Sequence, residues 1–302
     1  MNNTPLTIIG TSRITEHHII SAKRNGFKII ALSSTRKKSN YLQKISKKFN
    51  IKKIFYDYKE SIKYTEQVKN AAYVITCKTS DNLKILKALK KSNRKILIEK
   101  PIFENFVQFK NINFLKENIF TGYNRMYYKN VIFLKKTLSN KKNLLIRATV
   151  PENKINDINK NSCHIISILF SIFEDVKVNN IIKNKNHIIC YMSCKQGQIV
   201  IFFNFKSSEN TEIKINDEKK IYKLSPLEKL TIYNKINIKN INGINHYQPN
   251  LYKVKIENMN FKPGFERQYK DFNKFIKKKT LPKANIDISK KIIKLCNKIV
   301  SC

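Results

Sequence analysis

Residues 6–15 read Leu-Thr-Ile-Ile-Gly-Thr-Ser-Arg-Ile-Thr, a short apolar run that closes on Gly10 and leads into a helical stretch over residues 16–25. A strand closed by glycine and followed by a helix opens a doubly wound α/β domain, provided the pattern recurs. It recurs. Residues 27–32 (FKIIAL), 53–56 (KIFY), 73–76 (YVIT) and 95–98 (KILI) are further apolar runs of strand length, with helical spacing over 41–49 and 81–91. Strands buried on both faces read as unbroken apolar runs, and helical crossovers between them make the sheet parallel. The ligand crevice of such a sheet lies at the carboxyl ends of its strands.

Beyond Asn124 the texture changes. Residues 143–150 read as a strand and 163–173 as a helix. Residues 187–194 and 198–205 flank a Lys-Gln-Gly turn and read as an antiparallel hairpin, and 212–215 with 220–224 read the same way. Residues 265–278 and 288–300 return to helix. The predicted fold class is therefore α/β, with a doubly wound parallel sheet over residues 1–122. A second α/β domain with an open, mostly antiparallel sheet follows over 123–302, its last helix free to pack back on the first.

Composition bounds the function. The 302 residues are 41% hydrophobic and include no stretch long and apolar enough for a membrane span, so a globular, cytoplasmic protein is expected. The six cysteines form no CxxC pair, so reduced thiols and no metal site are expected. The formal charge of +39 invites a nucleic-acid reading. Yet only 7 of the 60 basic residues are Arg, the usual partner of phosphate forks and base edges, and the Lys are scattered along the whole chain. The charge reads as a solvated surface that favours an anionic small molecule, with no specific nucleic acid and no membrane as partner.

Gly10 stands at the first position of the dinucleotide fingerprint G-x-G-x-x-G, with Ser12 and Thr15 at the second and third. Glycines there let the backbone approach a pyrophosphate at a helix N-terminus. The expected cofactor contacts are Gly10, Ser12, Arg13 and Ile14. The second run ends in Ser33-Ser34-Thr35-Arg36-Lys37, with no acid to hold a ribose 2′-hydroxyl. Ser34, Thr35 and Arg36 with Lys37 suit a 2′-phosphate instead, so the expected cofactor is NAD(P), with NADP preferred.

Glu99-Lys100-Pro101 closes the fifth run. An E-K-P triplet there resembles the Gfo/Idh/MocA family of oxidoreductases (glucose-fructose oxidoreductase and inositol dehydrogenase). Further segments agree in order: Asn70-Ala-Ala-Tyr-Val-Ile-Thr76, residues 88–101, Gly122-Tyr-Asn-Arg125 and Asn161-Ser-Cys-His164. Ser225-Pro-Leu-Glu-Lys229 and Phe261-Lys-Pro-Gly-Phe265, followed by Tyr269 and Phe272, resemble members found with surface-polysaccharide genes. The resemblance implies a Rossmann domain and hydride transfer between nicotinamide and a carbinol carbon of a sugar or nucleotide-sugar. It implies Thr76, Cys77, Glu99 and Lys100 at the cofactor, Lys100 and His164 as catalytic residues, and Lys100, Asn124, Arg125 and His164 at the substrate. An ammonium stabilises a developing alkoxide, and an imidazole exchanges the proton near neutral pH.

Three departures stand out. Lys160 and Ser167 replace acids of the family's histidine segment, and Cys77-Lys-Thr-Ser-Asp-Asn82 lacks the family's Pro and His. They leave open a non-catalytic dinucleotide- or sugar-binding relative. Open sheets of this family often pair face to face, which implies a homo-oligomer, a dimer or tetramer.

Overall fold

The computed structural model describes residues 3–36, 39–277 and 282–302 and divides into two compact units. The first takes in residues 1–127 and 264–297, the second residues 128–263 and 298–302. In the first, strands β1 (Thr4–Ile9), β2 (Phe27–Ser33), β3 (Ile54–Phe55), β4 (Ala72–Ile75), β5 (Ile96–Glu99) and β6 (Ile119–Gly122) form one parallel sheet. Their order is β3-β2-β1-β4-β5-β6, the arrangement of a Rossmann sheet, with the topological switch between β1 and β4. Leu6, Ile8, Ile9, Val74, Ile75, Leu97 and Ile98 are fully buried, as unbroken apolar runs require. Each such side chain contributes about 1.5–3 kcal/mol on burial.

Helices α1 (Arg13–Arg24), α2 (Asn40–Phe49), α3 (Tyr58–Glu66) and α4 (Thr79–Ala88) connect the strands. Their ends follow local chemistry. Ser39 caps α2 by accepting from the Leu42 amide, and Asn50 ends it in the left-handed region at φ 52°. Asp57 caps α3 through the Lys59 amide. Strand β6 and helix α3 are elements beyond those read from the sequence.

The second unit holds helices α5 (Lys129–Leu138) and α6 (Cys163–Ile172) and an eight-stranded sheet. Its strands are β7 (Leu144–Glu152), β8 (Lys177–Lys183), β9 (His187–Cys194), β10 (Gly197–Phe205), β11 (Glu212–Asn216), β12 (Lys220–Leu224), β13 (Lys229–Ile241) and β14 (Ile244–Ile256). All neighbours are antiparallel except β7 and β10, which pair in parallel. Both hairpins expected from the sequence are present: Gly197 pairs with Cys194, and Asn216 with Ile221. Alternation sends Ile146, Ala148, Ile199, Ile201 and Phe203 inward and leaves Leu145 and Tyr191 exposed. The sequence reading did not include β8, α5, or the long β13–β14 hairpin.

Helix α7 (Phe265–Ile276) and most of α8 (Ile286–Ser301) belong to the first unit. Phe265, Tyr269, Phe272 and Phe275 form one buried stripe on α7. Phe272 stacks on Phe27 of β2 at 5.9 Å and meets Phe120 of β6 edge-on at 5.7 Å. Lys278, the expected last residue of α7, lies outside the described residues.

Among the described residues, no helix is long and apolar enough to cross a membrane.

Candidate functional site

The turn from β1 into α1 is built around one glycine. Gly10 has φ +120°, and its amide donates to the Ser33 carbonyl at 2.8 Å. A Cβ at Gly10 would lie 2.5 Å from the Cys77 amide nitrogen and 2.6 Å from the Thr76 carbonyl carbon, both main-chain atoms. No side chain fits there. Thr15, at the fingerprint's third position, is fully buried and donates to the Gly10 carbonyl at 3.2 Å. Its hydroxyl also lies 2.8 Å from that of Thr76. A hydroxyl bridge thus joins α1 to the ends of β1 and β4, where glycine would give bare contact. Ser12, the residue before α1, makes no side-chain capping bond, so its hydroxyl is not committed to the helix's first amides.

Beside this turn lies a cleft of about 560 Å³ lined by hydroxyl and basic residues. Of the residues predicted at the cofactor, Ser12, Ser34, Thr35, Arg36 and Cys77 line it. Thr11, Ser39, Asn40, Tyr41 and Lys78 line it too, and none of these was singled out in the sequence. Among the described residues, no carboxylate side chain lines it. The Ser34 hydroxyl accepts from the Arg36 amide at 3.0 Å, which fixes the loop. The Thr35 hydroxyl donates to Asp81 at 3.1 Å, so its proton is engaged on α4. Lys37, the further cation expected here, lies outside the described residues. Tyr41 donates to Glu16 at 2.9 Å, bracing α2 against α1. The signal for Ser39 was its place as a cap before the α2 run; Lys78 and Tyr41 carried none.

Cys77 is a thiol rather than a thiolate. Burial, helped by the Asp81 charge, pushes its pKa up to about 12, and its sulfur donates to Asn82 at 3.2 Å. Asn82 in turn donates to the Ile102 carbonyl at 2.9 Å, tying the start of α4 to the segment after the E-K-P triplet.

Glu99 ends β5, and the Lys100-Pro101 bond that follows is cis. The Glu99 carboxylate lies 2.8 Å from Nε2 of His18 on α1, and Nδ1 of the same ring lies 2.8 Å from the Tyr269 hydroxyl. Neither His18 nor Tyr269 was foreseen as a site residue. Lys100 is half-buried. Asn124 is buried and Arg125 half-buried in the short turn Asn124–Tyr127 that follows β6. Gly10 and Thr76 directly follow β1 and β4, and Glu99 and Gly122 end β5 and β6, all on the carboxyl edge of one sheet. Arg13 and Ile14 are the first two residues of α1.

His164 belongs to the second unit, in the first turn of α6, and is half-buried. Its carbonyl accepts from Ser167 at 2.6 Å, so Ser167 serves the helix backbone. Lys160 is exposed, just before α6. The buried Glu152 at the end of β7 accepts from Asn161 at 3.1 Å and from the Ser162 hydroxyl, anchoring the start of α6. Among the described residues there is no group of three or more His, Cys, Asp or Glu that could hold a metal ion.

Solved structures share this fold over nearly the full chain. A dehydrogenase, MviM, from Clostridium difficile is 17% identical, with 99% of each chain covered and a TM-score of 0.76. An oxidoreductase from Agrobacterium radiobacter, solved with NAD+, L-tartaric acid and magnesium, is 10% identical, covers 99% of this chain and 97% of its own, and has a TM-score of 0.75. Levoglucosan dehydrogenase, solved with NADH and L-sorbose, is 9% identical, covers 100% of this chain and 96% of its own, and has a TM-score of 0.75. Identities this low establish the fold alone. No curated protein matches the sequence. Residues 6–117, which carry the Rossmann sheet, match the family model GFO_IDH_MocA, described as the oxidoreductase family, NAD-binding Rossmann fold.

Proposed function

We propose that the protein is an NAD(P)-dependent oxidoreductase acting on a CH–OH carbon of a sugar-like substrate. The observation that carries this reading is the β1–α1 turn: Gly10 at φ +120° packs its backbone against the Thr76–Cys77 main chain, and Ser12 makes no side-chain capping bond at the start of α1, where a pyrophosphate would approach. The adjoining cleft supports the fit, since its hydroxyl and basic lining without a carboxylate suits a 2′-phosphate and favours NADP. Gly10, Ser12, Arg13 and Ile14 would hold the pyrophosphate, and Ser34, Thr35 and Arg36 the adenosine end. Thr76, Cys77, Glu99 and Lys100 would serve the other half.

When bound, the cofactor supplies a nicotinamide C4 that exchanges hydride with the substrate carbon. Lys100 places an ammonium against the substrate oxygen and stabilises its growing charge. His164 takes the hydroxyl proton in one direction and returns it in the other. Asn124 and Arg125 orient the substrate, Arg125 through a carboxylate or phosphate where one is present. A sugar or nucleotide-sugar handled in the cytoplasm during surface-glycan synthesis is the substrate class we infer. The outward sheet face with Leu145 and Tyr191 exposed supports a dimer or tetramer; a monomeric light-scattering mass would count against it.

Fluorescence titration with NADPH and NADH, followed by a hydride-transfer screen over sugars and polyols, tests the reading. Lys100→Ala is expected to lower turnover by about 10²–10³-fold, well beyond any loss of cofactor affinity. Loss of cofactor binding in wild type, or undiminished turnover in the variant, would refute it. A second reading, a dinucleotide binder without turnover, draws on Lys160 and Ser167, neither of which supplies an acid to His164. Saturable NADPH binding with no turnover across the screen would select it.

A further inference from the structure

A buried polar relay crosses the first unit and ends on Glu99; its other two members, His18 and Tyr269, have no part in the chemistry above. His18 on α1 and Tyr269 on α7 are both fully inaccessible, and each is an expensive group to bury without a partner. The hydroxyl of Tyr269 lies 2.8 Å from His18 Nδ1, and His18 Nε2 lies 2.8 Å from Glu99 Oε1. Phe265 meets the imidazole edge-on at 5.0 Å, so the ring is clamped as well as hydrogen-bonded. Burial and the Glu99 charge push the Tyr269 pKa well above its ordinary value, so the phenol keeps its proton. A carboxylate can only accept, so Nε2 carries the proton that bridges to Glu99, and in the neutral ring Nδ1 is left to accept from the phenol. The direction of the chain is thereby set: phenol to imidazole to carboxylate.

The relay ends at the carboxyl edge of the sheet. Glu99 closes β5 on the carboxyl edge of the sheet, and its side chain is 18% exposed while its two partners are sealed. The cleft with Ser34, Thr35 and Arg36 lies at the β1–β2 side of the switch point; β5 lies on the other side, beyond β4. A dinucleotide spanning the switch point with its adenosine in that cleft turns its nicotinamide half toward β4 and β5. Gly122 on β6 adds a constraint: a Cβ there would lie 2.8 Å from Glu99 Oε1.

We propose that Tyr269 and His18 are positioning residues that hold the Glu99 carboxylate at the nicotinamide half of the site, where it favours the oxidised cofactor over the reduced one. The oxidised ring carries a positive charge and the reduced ring none, so a fixed carboxylate discriminates between them by electrostatics. The inference rests on the proposed cofactor site and concerns the relative affinity of the two redox forms, whatever the substrate.

The test measures dissociation constants for NADP+ and NADPH on the intact protein, by calorimetry and fluorescence. Glu99→Gln keeps the shape and removes the charge. It is expected to weaken NADP+ about fivefold, the size of one partly screened charge–charge contact, and to leave NADPH unchanged. Tyr269→Phe removes one hydroxyl and frees the imidazole to change tautomer; it is expected to move the NADP+/NADPH ratio in the same direction by about twofold to threefold. Parallel weakening of both forms, or an unmoved ratio, overturns the proposal and leaves the relay a packing element. Nitrogen-15 NMR of the His18 ring reads the relay without cofactor: a proton on Nε2 in wild type is expected, and one on Nδ1 overturns it. A wild-type protein that shows this tautomer but binds neither form would instead sink the cofactor reading, and this proposal with it.

Discussion

Gly10→Ala is the substitution whose effect follows most directly from the geometry. Two terms add. The residue sits at φ +120°, where an L side chain is strained at a cost of about 1–3 kcal/mol. The added methyl would also lie 2.5 Å from the Cys77 nitrogen and 2.6 Å from the Thr76 carbonyl carbon. Both are main-chain atoms at the end of β4, so relief requires β1 and β4 to part, at about 1–3 kcal/mol more. Alanine's smaller unfolded-state entropy returns about 0.5–1 kcal/mol. The net expectation is a loss of about 1–5.5 kcal/mol in the first unit, with NADPH affinity lowered at least tenfold. Gly243→Ala is the internal control: its φ is +80°, but a Cβ there meets nothing within 4 Å. It should show the conformational term alone, about 1 kcal/mol. Urea unfolding, fitted for two transitions because the chain has two units, reads both. If Gly10→Ala costs no more than Gly243→Ala and binds NADPH like wild type, the cradle does not exist as described.

Arg36→Ala should weaken NADPH about tenfold and leave NADH unchanged, since a charge-assisted phosphate contact is worth about 1.5–3 kcal/mol; equal losses for both would remove the 2′-phosphate assignment. Cys77, with its pKa raised to about 12, gains thiolate character only as the pH climbs toward that value, so it should alkylate far more slowly at pH 8 than exposed Cys302. Mass mapping after timed iodoacetamide would show this, and early labelling of Cys77 would contradict it. Gln268 on α7 is fully buried, and neither Nε2 nor Oε1 of its side chain bonds to any described residue. Gln268→Leu is therefore expected to raise stability by about 1–3 kcal/mol in the urea midpoint, and a loss would point to a partner for the amide.

The Rossmann sheet was legible because its strands are buried on both faces and announce themselves as apolar runs such as residues 73–76 and 95–98. The order of motifs from Gly10 to Arg125 located the carboxyl edge of that sheet. What sequence hid was of two kinds. The β13–β14 hairpin turns on Asn242-Gly243, both at positive φ, a hairpin signal flanked by Ile alternating with Asn and Lys. That alternation is weak because the outer arm, residues 235–249, is exposed on both faces and buries no stripe of its own, whereas Leu230 and Ile232 at its base are buried. The His18–Glu99–Tyr269 relay joins residues 81 and 251 positions apart, and nothing local marks them as partners. Thr15 likewise looked like a failed glycine, whereas its hydroxyl replaces close contact with a bond to Gly10 and Thr76. In the cleft, Tyr41 and Lys78 arrive from the starts of α2 and α4, which only the folded sheet brings near Ser34.

The most direct trial of the cofactor assignment is a crystal structure of the protein grown with NADPH. The pyrophosphate should lie over Gly10 and the first turn of α1, the 2′-phosphate against Arg36, and the nicotinamide within reach of the Lys100 ammonium. A dinucleotide bound elsewhere, or an ammonium directed into bulk solvent away from the ring, would contradict the assignment.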